Sequence, residues 1–180
     1  MNKTLKNLKK YSLSGSDILE CLNNQTLILT YDMLMKYNDI DEILKPFNNF
    51  VLLYKSSDDY GHFTCIMRYN NNLEFFCPYG IPLDEQQNYI NNNINEKYYQ
   101  NTYKLSKLFL DSPYDIIINK KKLQKMNLNN ACCGRYVVLR LLFNNLNLQS
   151  FLELMKKEGN FTEDDKAVFF TEYLNNKNNN

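Results

Sequence analysis

Apolar positions in the first half of the chain change their period near residue 48. Before it they recur at helical spacing. Ser14-Gly15-Ser16-Asp17 places a serine three residues ahead of an acid, the signature of a helix start, and Ile18, Leu19, Leu22 and, at its limit, Leu27 continue it. A second helical pattern covers residues 31–44 and must stop before Pro46. After it, residues 49–54, 61–69 and 73–77 read as three strands. A polar turn over residues 55–60 and the Asn70-Asn71-Asn72 turn separate them, which predicts an antiparallel meander.

The second half is less regular. Residues 83–99 are polar and Asn-rich and suit a weak helix plus a loop, 103–110 fit a helix or a strand, and the β-branched run 114–118 fits an edge or parallel strand. From Cys133 to about residue 146 the pattern is helical, with Val137, Val138, Leu141 and Leu142 on the apolar face and Arg135 and Arg140 off it. Thr162-Glu163-Asp164-Asp165 opens a last helix that should carry Val168, Phe169 and Tyr173 inward, followed by a frayed tail after residue 174. Helices, then a sheet, then helices predict one α+β domain over residues 1–180, a central, mostly antiparallel sheet packed against helices.

Composition narrows the function classes. With 180 residues and 44% hydrophobic content the chain can build one substantial core. Its 21 basic and 20 acidic residues give no global pull towards nucleic acid or membrane. No apolar stretch approaches membrane-spanning length, and residues 1–10 lack the apolar core of a signal peptide. Asn clusters such as Asn91-Asn92-Asn93 punctuate the chain without filling its apolar segments, as codon bias would produce. The cysteines, Cys21, Cys65, Cys77, Cys132 and Cys133, are odd in number and form neither a disulfide framework nor paired zinc knuckles. The expectation is a reducing compartment, no metal and no cofactor.

Candidate chemistry converges on two residues. His62, the one histidine, follows Gly61 at the head of a strand and has the side chain suited to taking and returning a proton near neutrality. Cys133 sits where an Asn-rich loop becomes an apolar helix. There the helix dipole favours thiolate, free first-turn N–H groups can face an oxyanion, and Gly134 permits close approach beside the sulfur. The bland alternatives are a bystander histidine and two cysteines that start a core helix as small hydrophobes.

The set Gly61-His62-Phe63, Phe75-Phe76-Cys77-Pro78-Tyr79-Gly80 and Asn130-Ala131-Cys132-Cys133-Gly134 resembles the adenovirus-type (adenain-like) cysteine proteases. These are related to SUMO-processing proteases and to maturation proteases of large DNA viruses and virophages. The resemblance implies a nucleophile, Cys133, at the N-terminus of a central helix, and a base, His62. It implies cleavage of viral structural or scaffold precursor proteins, in the virion and infected host cell, with an activating peptide as a further partner. Position 77 departs from the pattern: the family places an acid or Asn there, and Cys77 is a poor acceptor. Glu74 should point to the opposite face, which leaves Asp84 as an alternative group to orient His62. The family's oxyanion glutamine is displaced too, with Asn127 six residues before Cys133 and Gln124 nine before it as candidates. The resemblance also gives Lys120, Lys121, Lys122 and Lys125 a possible weak DNA-binding role, although such a run is usually a solvated face. The rival reading is a protease homologue that has lost catalysis and binds peptides or proteins. If the site is assembled for hydrolysis, the reacting atoms of His62 and Cys133 should lie within roughly 3–4 Å.

Overall fold

The computed structural model describes residues 3–127, 130–156 and 159–178. Its strands are β1 (Leu27–Thr30), β2 (Asn49–Lys55), β3 (Gly61–Tyr69), β4 (Asn72–Phe76) and β5 (Asp115–Ile118), hydrogen-bonded in that order as one five-stranded sheet. The helices are α1 (Lys3–Leu8), α2 (Gly15–Cys21), α3 (Ile40–Leu44), α4 (Asn92–Lys97), α5 (Lys104–Leu110), α6 (Cys133–Leu142), α7 (Leu148–Lys156) and α8 (Glu163–Asn178).

The meander is present, with β2–β3 and β3–β4 antiparallel, but both outer pairings, β1–β2 and β4–β5, are parallel. The sheet is therefore mixed. Strand β1 was hidden because Leu27 also continues the helical spacing of α2. That helix ends at Cys21 with Leu22 as its C-cap, and Asn23 and Asn24 follow with positive φ, a conformation in which asparagine is tolerated better than most residues. Ser14 caps α2 as expected, its hydroxyl accepting from the Asp17 N–H while the Asp17 carboxylate accepts from the Ser14 N–H. The single helix expected over residues 31–44 is two pieces, a 3-10 turn (Tyr31–Lys36) and α3, because Asp39 caps a new start by accepting from the Asp41 N–H at 2.8 Å. Residues 103–110 resolve as helix α5 and residues 114–118 as strand β5, while α1 and α7 had not been anticipated.

Alternation along the strands splits the core in two. Val51, Phe63, Cys65, Met67 and Phe76 pack against α2, α6, α7 and α8; Phe50, Leu52, Tyr54, Ile66, Leu73, Phe75 and Cys77 pack against α3, α5 and the 3-10 turn. Helix α6 lies between β3 on one side and α2 and α8 on the others. A helix so surrounded buries all sides, and Arg135 and Arg140, expected off the apolar face, are buried with the rest, whereas Leu142 is 39% exposed. In α8 the buried residues are Asp164, Asp165, Ala167, Val168 and Thr171, while Phe169 and Tyr173 face outward, contrary to expectation. The α8 helix continues past residue 174 to Asn178.

Arg140 answers to Glu74. Its Nε and Nη2 donate to Oε1 and Oε2 at 2.7 and 2.8 Å, both side chains fully buried. Tyr69 also donates to Glu74, and the carbonyls of Phe143 and Leu146 each accept one further guanidinium hydrogen. This bidentate pair ties α6 to β4. Arg140→Ala should leave a buried carboxylate unpaired and cost roughly 3–5 kcal/mol, whereas the double replacement Glu74→Leu with Arg140→Met should restore most of that loss. Urea unfolding midpoints measure both; an unchanged midpoint in Arg140→Ala would mean that the pair does not hold the helix.

Candidate active site

Three segments meet at the end of the sheet where β3 begins and β4 stops. Gly61 is required there, since a Cβ would lie 2.4 Å from the Tyr54 carbonyl oxygen. Beyond β4 the chain turns at Cys77-Pro78-Tyr79-Gly80, closed by the Gly80 N–H donating to the Cys77 carbonyl at 2.9 Å. Gly80 has φ +69°, and a side chain on it would strike the backbone of Lys120–Lys122. That segment belongs to the loop leading into α6. It is fastened to the turn by Leu123 and Gln124 N–H groups donating to the Pro78 carbonyl, and by Asn119 donating to the Cys77 carbonyl.

From there the loop is held at both ends. The Ala131 N–H donates to the Lys9 carbonyl at 2.7 Å, which gives the N-terminal segment a structural task. Asn130 donates to the Lys125 carbonyl and to the Asp164 carboxylate, which also accepts from the Tyr136 hydroxyl. Helix α6 then starts at Cys133, with no side-chain cap from Cys132. Its first-turn N–H groups lack intrahelical acceptors, and those of Cys133 and Gly134 lie against the Cys133 sulfur. So does the backbone N–H of Phe63, the residue after His62. Gly134 lets the helix start approach α2, where an added Cβ would come within 3.2 Å of Ile18 and 3.3 Å of Leu13.

The two cysteines diverge. Cys132 is fully buried, faces the Lys9 carbonyl, and burial lifts its thiol pKa to about 12. Cys133 retains 8% exposure. Burial raises its pKa too, opposed by the N–H groups of Phe63, Gly134 and Cys133 itself.

His62 is half-buried, and desolvation lowers its pKa from 6.5 to about 3, so the ring is neutral at pH 7. Its Nε2 is 3.3 Å from the Cys77 sulfur, and its ring stacks on Tyr79 at 4.5 Å between centroids. Among the described residues no hydrogen bond joins His62 to Cys133. His62 Nε2 is turned to Cys77, while the Cys133 sulfur meets the backbone N–H of Phe63. Two neutral groups also have no Coulombic attraction to draw them together.

Asp84 is buried, and its carboxylate accepts from Tyr31 at 2.6 Å, from Tyr54 at 3.4 Å and from the Ser106 N–H at 2.8 Å, with no bond to His62. The carboxylate expected as an alternative orienting group is thus engaged elsewhere. Glu74 lies on the α6 side of the sheet, bound to Arg140. Gln124 is fully buried; its Nε2 donates to the Asn130 carbonyl, and its Oε1 has no partner among the described residues. Asn127 is exposed, its carbonyl accepting from the Asn130 N–H. Lys120, Lys121, Lys122 and Lys125 are all exposed. Among the described residues no cluster of His, Cys, Asp and Glu could hold a metal, and no helix is long and apolar enough to cross a membrane.

Sequence reasoning missed Tyr79 as a stacking partner, Gln86, whose Nε2 is 3.3 Å from the Cys77 sulfur, and Asp164 as the anchor of the loop. Tyr79 stood inside the quoted motif and could have been found there. Gln86 and Asp164 carry no local signal, since both act across the tertiary structure.

No protein-family model matches the chain. It is 39% identical over 150 residues to the uncharacterized protein V9 of Sputnik virophage, covering 83% of this chain and 86% of that protein. The chain belongs to the V9 family. Two crystal structures of the ASFV pS273R protease also align with this V9-family chain. Each has a TM-score of 0.49, with 12% and 15% identity, and the alignments cover 92% of this chain and 68% of theirs.

The raised thiol pKa predicts the reactivity of Cys133. With the folded-state pKa above 9.0, thiolate is scarce at neutral pH and grows as pH rises. Iodoacetamide labelling of Cys133, mapped by mass spectrometry from pH 4 to 9, should climb about tenfold per pH unit with no acid plateau. A plateau between pH 4 and 7 would reveal a standing thiolate–imidazolium pair and contradict the neutral resting state.

Proposed function

We propose that this V9-family protein is a cysteine endopeptidase with Cys133 as nucleophile and His62 as base, acting on viral structural or scaffold precursor proteins. The observation that carries the reading is the Cys133 thiol at the uncapped start of α6, packed in one cluster with Phe63, the residue next to the chain's one histidine. The N–H groups of Phe63 and Gly134 oppose the effect of burial on that thiol.

The chemistry follows from these groups. His62 takes the Cys133 proton on Nδ1, the ring nitrogen not facing Cys77, as the sulfur attacks the scissile carbonyl carbon. The resulting oxyanion is held by the first-turn N–H groups of α6. The C–N bond then breaks, His62 returns its proton to the departing amine, and a thioester remains on Cys133. Water, deprotonated by His62, hydrolyses the thioester and restores the thiol. Gln124 supports the loop by donating to the Asn130 carbonyl, and Asn127 is exposed.

One observation favours a second reading, a peptide-binding homologue without catalysis: among the described residues His62 has no carboxylate partner and no hydrogen bond to Cys133. Hydrolysis of a peptide panel separates the two. Wild type and Cys132→Ala should both cleave, and Cys133→Ala should fall to background while remaining folded by circular dichroism. Absence of cleavage by wild type together with retained peptide binding would support the second reading, and loss of activity in Cys132→Ala alone would move the nucleophile by one residue.

A further inference from the structure

The surroundings of Cys77 specify which ring nitrogen of His62 carries the proton. The Cys77 side chain is fully buried, and its sulfur has two side-chain neighbours at hydrogen-bonding distance, His62 Nε2 and Gln86 Nε2, each at 3.3 Å. The Gln86 amide cannot be turned round. The same Nε2 donates to the Ile81 carbonyl at 3.2 Å, which identifies it as nitrogen, so it presents a hydrogen and not a lone pair to Cys77. The nearby backbone groups of Tyr79, Gly80 and Ile81 are N–H donors as well, that of Gly80 being engaged with the Cys77 carbonyl. All of these groups are donors.

A thiol has one hydrogen of its own to place. Among the described residues no oxygen accepts from the Cys77 sulfur, which leaves His62 Nε2 as the one neighbour able to do so. If Nε2 carried the ring proton, every group around the sulfur would be a donor and the S–H would be buried without an acceptor. Burial also holds the thiol protonated and the ring neutral, so both hydrogens are present to be arranged.

We propose that the Cys77 thiol donates to His62 Nε2 and holds the imidazole in the Nδ1–H tautomer, with Gln86 as the positioning residue that denies Cys77 any other acceptor. The consequence for catalysis rests on the Cys133–His62 reading; the tautomer itself does not. With hydrogen on Nδ1, that nitrogen cannot take the Cys133 proton, and the site idles until the ring changes tautomer. A serine triad caught in the wrong tautomer loses about 10⁴ in turnover, which sets the scale on which such a latch can act. A carboxylate at position 77 would do the reverse, accepting from Nε2–H and leaving Nδ1 free as base.

The presence of one histidine makes the test direct. In protein labelled with ¹⁵N-histidine, long-range ¹H–¹⁵N correlation at pH 7 reads the tautomer of His62 without assignment. Wild type should show a protonated Nδ1 and a bare Nε2. Cys77→Asp should exchange the two and raise kcat/KM by about tenfold or more. Cys77→Ala, which keeps the site apolar but removes the S–H, should abolish the preference for Nδ1–H and serves if the aspartate variant fails to fold. A wild-type ring protonated on Nε2, evenly mixed or doubly protonated overturns the inference. An Nδ1–H ring in a protein that cleaves no peptide in any variant supports the inference and removes the peptidase reading instead.

Discussion

Everything at the site depends on where α6 lies, and a buried ion pair holds it there. Arg140 and Glu74 are both fully buried and join helix to strand through two parallel hydrogen bonds. Desolvating two charges is expensive, and a hydrophobic pair could be equally stable, so the pair supplies register more than stability. It sets how far α6 slides and turns over β4. Seven residues earlier on the same helix, the same setting decides where Cys133 meets β3. Asp164 plays the matching part at the loop, taking Asn130 and Tyr136 together and so fixing the entry to the helix.

Around Cys133 and His62 the protein has arranged dipoles instead of charges. The Cys133 sulfur receives backbone N–H groups, the Cys77 sulfur receives backbone N–H groups and an amide, and His62 is pressed against an aromatic ring. The nearby carboxylates that could have supplied a charge, Asp84 and Glu74, are each tied to other partners. Such a site disfavours ionised groups before substrate arrives, which is what the raised cysteine and lowered histidine pKa values express. Water displaced by a bound substrate would strengthen the same dipoles where negative charge develops.

Much of this was legible in the chain. Apolar runs bounded by polar turns marked β2, β3 and β4, the Ser14 and Thr162 caps marked α2 and α8, and the loop-to-helix transition marked Cys133. What stayed hidden has common physical causes. Strand β1 is four residues long and parallel to β2, so neither length nor a hairpin turn announced it. Arg140 looked like a solvent-facing residue because its partner lies 66 positions away. Phe169 and Tyr173 were placed inward on hydrophobicity alone, yet the face of α8 that meets the core is chosen by Asp164 and Thr171, whose polar partners are on α6 and the loop before it. At the candidate site, the partner that each side chain takes was not readable: His62 meets Cys77 and Tyr79, and Asp84 meets Tyr31.

The central claim is that Cys133 forms a covalent acyl intermediate. An activated peptide ester incubated with wild-type protein, quenched in acid within milliseconds to seconds and digested for mass spectrometry, tests this directly. The account predicts one acyl group, on the peptide containing Cys133, that disappears as product accumulates. A folded protein that carries no acyl group, or carries it on another cysteine, would contradict it.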